Sequence, residues 1–332
     1  MPAGRPYRRR GRPFLPAAPG DILPPAMLGP LLLQLSRSPL ARRVVTDLGF
    51  ARRAARRFVA GETLDEAVAA IRRLNASGFD ATLDFLGENT LSEAEAAACA
   101  GEYVRLLDRI QAEKLRSHAS VKLSQMGLDL GEEACLRNLK PVLERARAHG
   151  NFLRLDMESS AYTDRTLSVL ARLRDGYEKV GPVLQAYLYR TAGDLERLLD
   201  RPVNIRLCKG AYREPPSAAY PRKRDVDRNY VRLAERLLRA AGEGKAYAAL
   251  ATHDARIVRW ARLHVRRLKL DASRFEFQML YGVRRDLQQE LVRDGFRVRV
   301  YVSYGTHWYP YFMRRLAERP ANVLFVLRHL VR

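Results

Sequence analysis

VNIRLCKG (203–210) sets Val203, Ile205 and Leu207 on one side of an extended chain and Asn204 and Arg206 on the other, then ends in a lysine and a glycine. Side chains alternate across a strand with period two, so the run reads as a strand with one apolar and one polar face. Seven more runs of the same kind flank it: ATLDFLGE (81–88), ASVKLSQ (119–125), FLRLDME (152–158), PVLQAYL (182–188), AYAALATH (246–253), FEFQML (275–280) and VRVYVSYG (298–305). Helical patterns precede and separate them, two of which open on the capping boxes Thr63-x-x-Glu66 and Ser92-x-x-Glu95. Eight strands alternating with helices predict an α/β protein, a closed parallel (β/α)8 TIM-type barrel over 61–332 preceded by N-terminal helices. An open doubly wound sheet is the runner-up, but no strand leads into Gly-x-Gly-x-x-Gly.

Helices cover the outside of such a barrel, so the apolar face of each strand meets them and the polar face meets the axis. Buried charges there are costly unless paired or used. The last polar residue of the strands (Lys122, Asp156, Gln185, Arg206, Gln278, Tyr301) falls near the C-terminal strand ends, where active sites of this fold sit. A lone lysine and aspartate on neighbouring strands read equally well as a structural ion pair, and Lys122 with Asp156 are expected to be linked in that way. Six convergent polar groups make a purely structural role a poor account of the whole set.

The chain has 332 residues, 47% hydrophobic and 29% charged, which excludes a wholly disordered or collagen-like protein. It contains no apolar run long enough for a membrane-spanning helix. Cys99, Cys135 and Cys208 are scattered, which argues against a disulfide scaffold or zinc site and suits a reducing compartment, so a cytoplasmic protein is expected. No histidine pair has ligand spacing, and no metal is expected. The net charge of +22 is uneven: residues 1–58 carry twelve arginines against Asp21 and Asp47. Residues 1–26 are Pro-, Gly- and Arg-rich and read as a disordered basic tail, without the continuous apolar stretch of a secretory signal. Residues 27–60 read as a helical segment, in which Val44, Val45, Leu48 and Ala51 form an apolar stripe among arginines. Such a basic amphipathic helix suits either an anionic membrane surface or docking on the body.

The last stretch carries the most chemistry: Tyr301, Tyr304, His307, Tyr311, then Arg314, Arg315 and Glu318. Pro310 suits a helix start. Neighbouring helical residues lie about 100° apart, so a helix over the barrel mouth presents two guanidinium forks to one small carboxylate, with Glu318 one turn on to hold an arginine. Tyrosines 301, 304 and 311 are expected to wall a ring-sized pocket. Lys209-Gly210-Ala211-Tyr212 offers a glycine for close backbone approach, and Thr252-His253-Asp254 offers ring-binding or base chemistry. A solvated charged helix face is the bland alternative for the arginines.

With these residues in view, the chain resembles the bacterial monofunctional proline dehydrogenases, flavoenzymes built on a (β/α)8 barrel. The resemblance runs from about Arg57 to Leu330 and rests on SVKLSQMGLDL, RLDME, VLQAYLYRT, NIRLCKGAYREP, ATHD, FEFQMLYGVR, VYVSYG and YPYFMRRLAERPANV, in family order. It implies that Arg314 and Arg315 grip the proline carboxylate and that Lys122 reaches it. It assigns Asp156 and Arg206 as catalytic charges, with Arg206 also beside the flavin. Met157, Gln185, Lys209, Gly210, Ala211, Thr252, His253 and Gln278 match FAD contacts, and Tyr212, Leu280, Tyr301 and Tyr311 match the pocket round the proline ring. The implied activity is oxidation of L-proline to 1-pyrroline-5-carboxylate with FAD bound noncovalently. Electrons would pass to a membrane quinone, and a separate pyrroline-5-carboxylate dehydrogenase would complete the route to glutamate. The rivals are another flavin barrel such as methylenetetrahydrofolate reductase, which the arginine pair disfavours, and a nucleic-acid binder on the strength of the charge, which predicts salt-sensitive DNA binding and no flavin spectrum.

Overall fold

The computed structural model describes residues 49–318 together with Ser38. The basic tail expected at 1–26, the apolar stripe at Val44, Val45 and Leu48 and the segment 319–332 lie outside the described residues. Eight parallel strands close in sequence order: β1 (Asp80–Phe85), β2 (Ser117–Val121), β3 (Leu153–Leu155), β4 (Val180–Gln185), β5 (Val203–Cys208), β6 (Ala246–Ala251), β7 (Phe275–Leu280) and β8 (Val298–Tyr304). β1 and β8 pair from Asp80↔Arg299 to Phe85↔Tyr304, so the sheet has no open edge. Number and order of strands agree with the sequence; several runs overshoot at their C-terminal ends, because residues leaving a strand keep alternating for a position or two. β2 and β4 start earlier than their apolar runs, at Ser117 and Val180.

Among the described residues ten α-helices accompany them: α1 (Gly49–Ala55), α2 (Leu64–Ala76), α3 (Glu93–Ala112), α4 (Glu132–Ala148), α5 (Thr163–Gly176), α6 (Thr191–Leu198), α7 (Lys223–Gly242), α8 (Ala255–Arg267), α9 (Arg285–Arg293) and α10 (Trp308–Glu318). The capping box at α2 is complete: Thr63 Oγ1 accepts from the Glu66 amide, and Glu66 accepts from the Thr63 amide. At α3 only half forms, since Ser92 accepts from the Glu95 amide while Glu95 turns to the Leu91 N–H at 2.8 Å. Leu83, Val121, Leu155, Ile205, Phe277, Val300 and Val302 are fully or almost fully buried, on the strand faces that meet the helices.

One departure from plain alternation positions the site. α2, which precedes β1, packs on both β1 and β8 and fills the place an eighth outer helix would take. α10 packs elsewhere, in a second apolar cluster with Ala54, Ala55, Phe58, Val59, Leu86 and Val283 around Trp308, Tyr309 and Phe312. The Phe58 and Phe312 rings lie 6.3 Å apart, and Trp308 Nε1 donates to Glu62. Gly282, at φ +73°, lets the β7–α9 loop pass against the Arg57 carbonyl, where a Cβ would fall 1.7 Å away. The described end of the basic N-terminal helix is therefore docked on the body, beneath the helix that carries the two arginines.

Candidate active site

The polar strand faces build the barrel interior in layers. In the floor, Arg154 is 1% exposed and donates to the Pro182 and Asn204 carbonyls at 2.8 and 2.7 Å. Arg299 donates to Glu276 at 2.8 Å and to the Ala81 carbonyl at 2.7 Å. Arg299 is neutralised by Glu276, whereas Arg154 is held only by neutral oxygens at its terminal nitrogens and its buried Nε has no hydrogen-bond partner among the described residues. Gln278 ties this floor to the layer above, its amide donating to Glu276 while its carbonyl accepts from Arg206 Nε.

The upper layer centres on Asp156. Its carboxylate accepts from Tyr301 OH at 2.6 Å, from Ser120 Oγ at 2.7 Å and from Arg206 Nη1 at 2.8 Å. The Arg206 guanidinium also lies over the Tyr301 ring, 5.1 Å from its centroid. Burial and the Asp156 charge push the Tyr301 phenol well above its usual range, so it stays protonated and donates.

Lys122 does not pair directly with Asp156, as neighbouring strands had suggested. Its Nζ donates to Asp84 of β1 at 2.7 Å, and Asp84 is fully buried. β2 pairs with β1 on one side and with β3 on the other, and Asp156, beyond the end of β3, is already claimed by Arg206. Burial opposes the charge on Lys122, but the carboxylates of Asp84, Asp156 and Glu88 outweigh it and raise its pKa, so it is an ammonium at neutral pH. Asp84 belongs to the site although no sequence argument singled it out. The signal was there: Thr82 and Asp84 alternate with Ala81, Leu83 and Phe85 in the first strand.

Above this layer α10 brings in the arginines. Arg315 is 6% exposed, its guanidinium 5.0 Å from the centroid of the Tyr311 ring. Arg314 makes a two-pronged pair with Glu88, in the loop after β1. Glu88 is the second residue that sequence reasoning missed, having been read only as the end of a strand. Tyr304 is a correction. Three positions from Tyr301, it lies on the opposite strand face, packs in the outer core and donates to Glu102 of α3 at 2.6 Å.

The residues assigned to catalysis, substrate or cofactor line one cavity of about 670 Å³ at the C-terminal mouth of the barrel: Lys122, Asp156, Met157, Gln185, Arg206, Lys209, Gly210, Ala211, Tyr212, Thr252, His253, Gln278, Leu280, Tyr301, Tyr311, Arg314 and Arg315, whereas His307 is exposed and outside it. Asp84, Val183, Lys223, Arg256 and Arg284 line it too. Gly210 has φ +122°, and a Cβ there would meet the Tyr187 ring at 2.3 Å, so only glycine allows this turn. Lys209 is held by Asp227 and Asp254; burial opposes ionisation of Asp254, but Lys209 and the Arg256 amide bring its pKa down to about 2. His253 Nε2 accepts from the Leu280 N–H, which puts the proton of the neutral ring on Nδ1. A deep apolar-walled slot with amide side chains, and a rim bearing Lys209, Lys223, Arg256 and Arg284, suits a flat ring system carrying a phosphate chain. Among the described residues no group of three or more His, Cys, Asp or Glu side chains could hold a metal ion, and no helix is long and apolar enough to cross a membrane.

Residues 67–328 match the family described as proline dehydrogenase. The chain belongs to the proline dehydrogenase family. It is 42% identical over 306 residues to Proline dehydrogenase 1 of Bacillus subtilis (strain 168), covering 92% of this chain and 100% of that protein. It is 42% identical over 283 residues to Proline dehydrogenase of Deinococcus radiodurans, covering 84% and 90% respectively. Among solved structures, proline utilization A (PutA) from Bdellovibrio bacteriovorus, inactivated by N-propargylglycine, superposes with a TM-score of 0.76 at 26% identity, over 89% of this chain and 37% of that longer one. Family membership makes the protein an oxidoreductase of proline catabolism with a flavin cofactor, in place of the folate-reductase and flavin-free readings.

Proposed function

We propose that the protein oxidises L-proline to 1-pyrroline-5-carboxylate with noncovalently bound FAD and passes the electrons to a membrane quinone. The observation that carries the reading is the convergence of Arg314, Arg315 and Lys122, from α10 and the end of β2, on the cavity that also holds the Asp156–Arg206–Gln278 chain. FAD, when bound, supplies the hydride acceptor for C5 of proline, while the proline nitrogen lone pair forms the C=N bond. Gln185, Lys209, Gly210, Ala211, Thr252, His253, Gln278, Met157 and Arg206 would hold it, the Gly210 turn allowing close backbone approach and the cationic rim suiting the pyrophosphate.

The chain's own work is to bind and orient. Arg314 and Arg315 grip the proline carboxylate, and Lys122 adds a third positive charge held in place by Asp84. Tyr212, Leu280, Tyr301 and Tyr311 enclose the ring and exclude water. Asp156 acts as a part-buried anchor that fixes Tyr301 and Arg206, and the Arg206 charge favours negative charge developing on the cofactor. No strong base is required, because proline reacts as its neutral amine. The basic N-terminal segment gives a soluble barrel a means of visiting the anionic membrane where quinone resides, and a separate pyrroline-5-carboxylate dehydrogenase would take the product onward. An absorption spectrum of the purified protein tests the reading: flavin bands that bleach on anaerobic addition of L-proline support it, and their absence overturns it.

A further inference from the structure

The loop between β5 and α7 carries Tyr212 into the cavity and then leaves the barrel mouth through Arg213, Glu214 and two prolines. It does not hang free. Tyr187 N–H donates to the Lys209 carbonyl, Tyr220 N–H to the Tyr187 carbonyl, and Tyr189 N–H to the Ala218 carbonyl, with a bridge between Leu188 and Ala219. The Glu214 carboxylate gathers three donors from two other loops of the mouth: the Ser160 amide at 2.7 Å, the Ser160 hydroxyl, and Tyr187 OH at 3.2 Å. The Tyr187 ring lies under Gly210 and bears on the Tyr212 backbone through its hydroxyl. One carboxylate thus joins the loops after β3, β4 and β5, two residues from a pocket-lining tyrosine.

We infer that Glu214 is a positioning residue, a latch that fixes the β5–α7 loop so that Tyr212 closes on the proline ring. Charge-assisted hydrogen bonds to backbone and hydroxyl donors are the strong kind, and here they add the loop after β3 to the two loops that backbone bonds already join. Glu214 does not line the cavity, so its effect on substrate passes through Tyr212 and not through contact. The inference rests on the reading of Tyr212 as part of the proline pocket, and the experiment separates the two.

The test is a double-mutant cycle on the flavin-loaded enzyme with Glu214→Ala, Tyr212→Ala and the pair, reading KM and kcat for proline, flavin content, melting temperature, and binding of a ring-oxygen analogue of proline that cannot be oxidised. Glu214→Ala is expected to raise KM and weaken analogue binding by about tenfold, on the scale set by small misplacements of binding groups. Flavin content and melting should hold. The loss should vanish when Tyr212 is already alanine. Glu214→Gln keeps an oxygen for the Ser160 amide and is expected to recover most of the affinity. Additive losses in the double variant, or an unchanged KM in Glu214→Ala, overturn the latch. A Tyr212→Ala variant with normal KM and normal analogue binding overturns instead the pocket role of Tyr212.

Discussion

Arg315→Met cuts most directly at the carboxylate clamp. The side chain is 6% exposed and stacked on Tyr311 inside the cavity, so a ligand carboxylate reaching it is desolvated on both sides. Methionine keeps the length of the stem and its packing on α10, and removes only the charged fork. A bidentate charge-assisted pair in such a site is worth roughly 2–4 kcal/mol, which corresponds to a rise in KM for proline of about 30- to 1000-fold. Arg314 cannot make good the loss in full, because it already spends both terminal nitrogens on Glu88. The assay is steady-state oxidation of proline with an artificial quinone, with flavin content and melting temperature measured on the same preparation. Those two should match the unaltered protein. A KM within about twofold of normal, with flavin retained, would refute the clamp and return the arginine to a structural role.

Three further outcomes follow from the same geometry. Asp156→Ala strands Tyr301 OH, Ser120 Oγ and Arg206 Nη1 together, so turnover should fall by about a hundredfold or more, on the scale of a buried charge left unpaired; near-normal turnover would make Asp156 merely structural. Phe58→Ala opens a cavity between the N-terminal helix and α10 and should cost about 3–5 kcal/mol, lowering the melting temperature and, because α10 carries both arginines, raising KM. An unchanged melting temperature would mean that the docking contributes nothing. Asp254 is held below its ordinary pKa, so its contribution to stability is present above about pH 4 and is lost as pH falls toward about 2. Asp254→Asn should therefore lower the denaturant midpoint at pH 6, with the gap to the unaltered protein narrowing below pH 4; a gap independent of pH would refute the assigned role of its charge.

Much of the site was legible because strand parity is a local property. Once VNIRLCKG and FLRLDME are read as strands of a barrel, Arg206 and Asp156 must face the axis, and the same alternation puts Gln278 and Tyr301 there. The parity also carried information that went unused: Thr82 and Asp84 share the inner face of β1, and Tyr304 cannot share a face with Tyr301. The Lys-Gly-Ala-Tyr turn was marked by its glycine, the one residue type that adopts φ +122° against the Tyr187 ring.

Partner choice was another matter, since it depends on which strands the closed sheet brings together and on how far each is staggered. Lys122 meets Asp84 across the β1–β2 pair, while Asp156 is taken by Arg206 and Tyr301 from strands distant in sequence. Arg314 meets Glu88 only because α2 occupies the outer position between β8 and β1, leaving α10 to pack on Phe58 above the mouth. The sequence by itself determined which side chains face inward and how many strands carry them, because the two- and 3.6-residue periods are written along the chain. Only the tertiary structure decided which charge neutralises which, because a buried charge is settled by its nearest neighbour in space, and barrel closure chooses that neighbour.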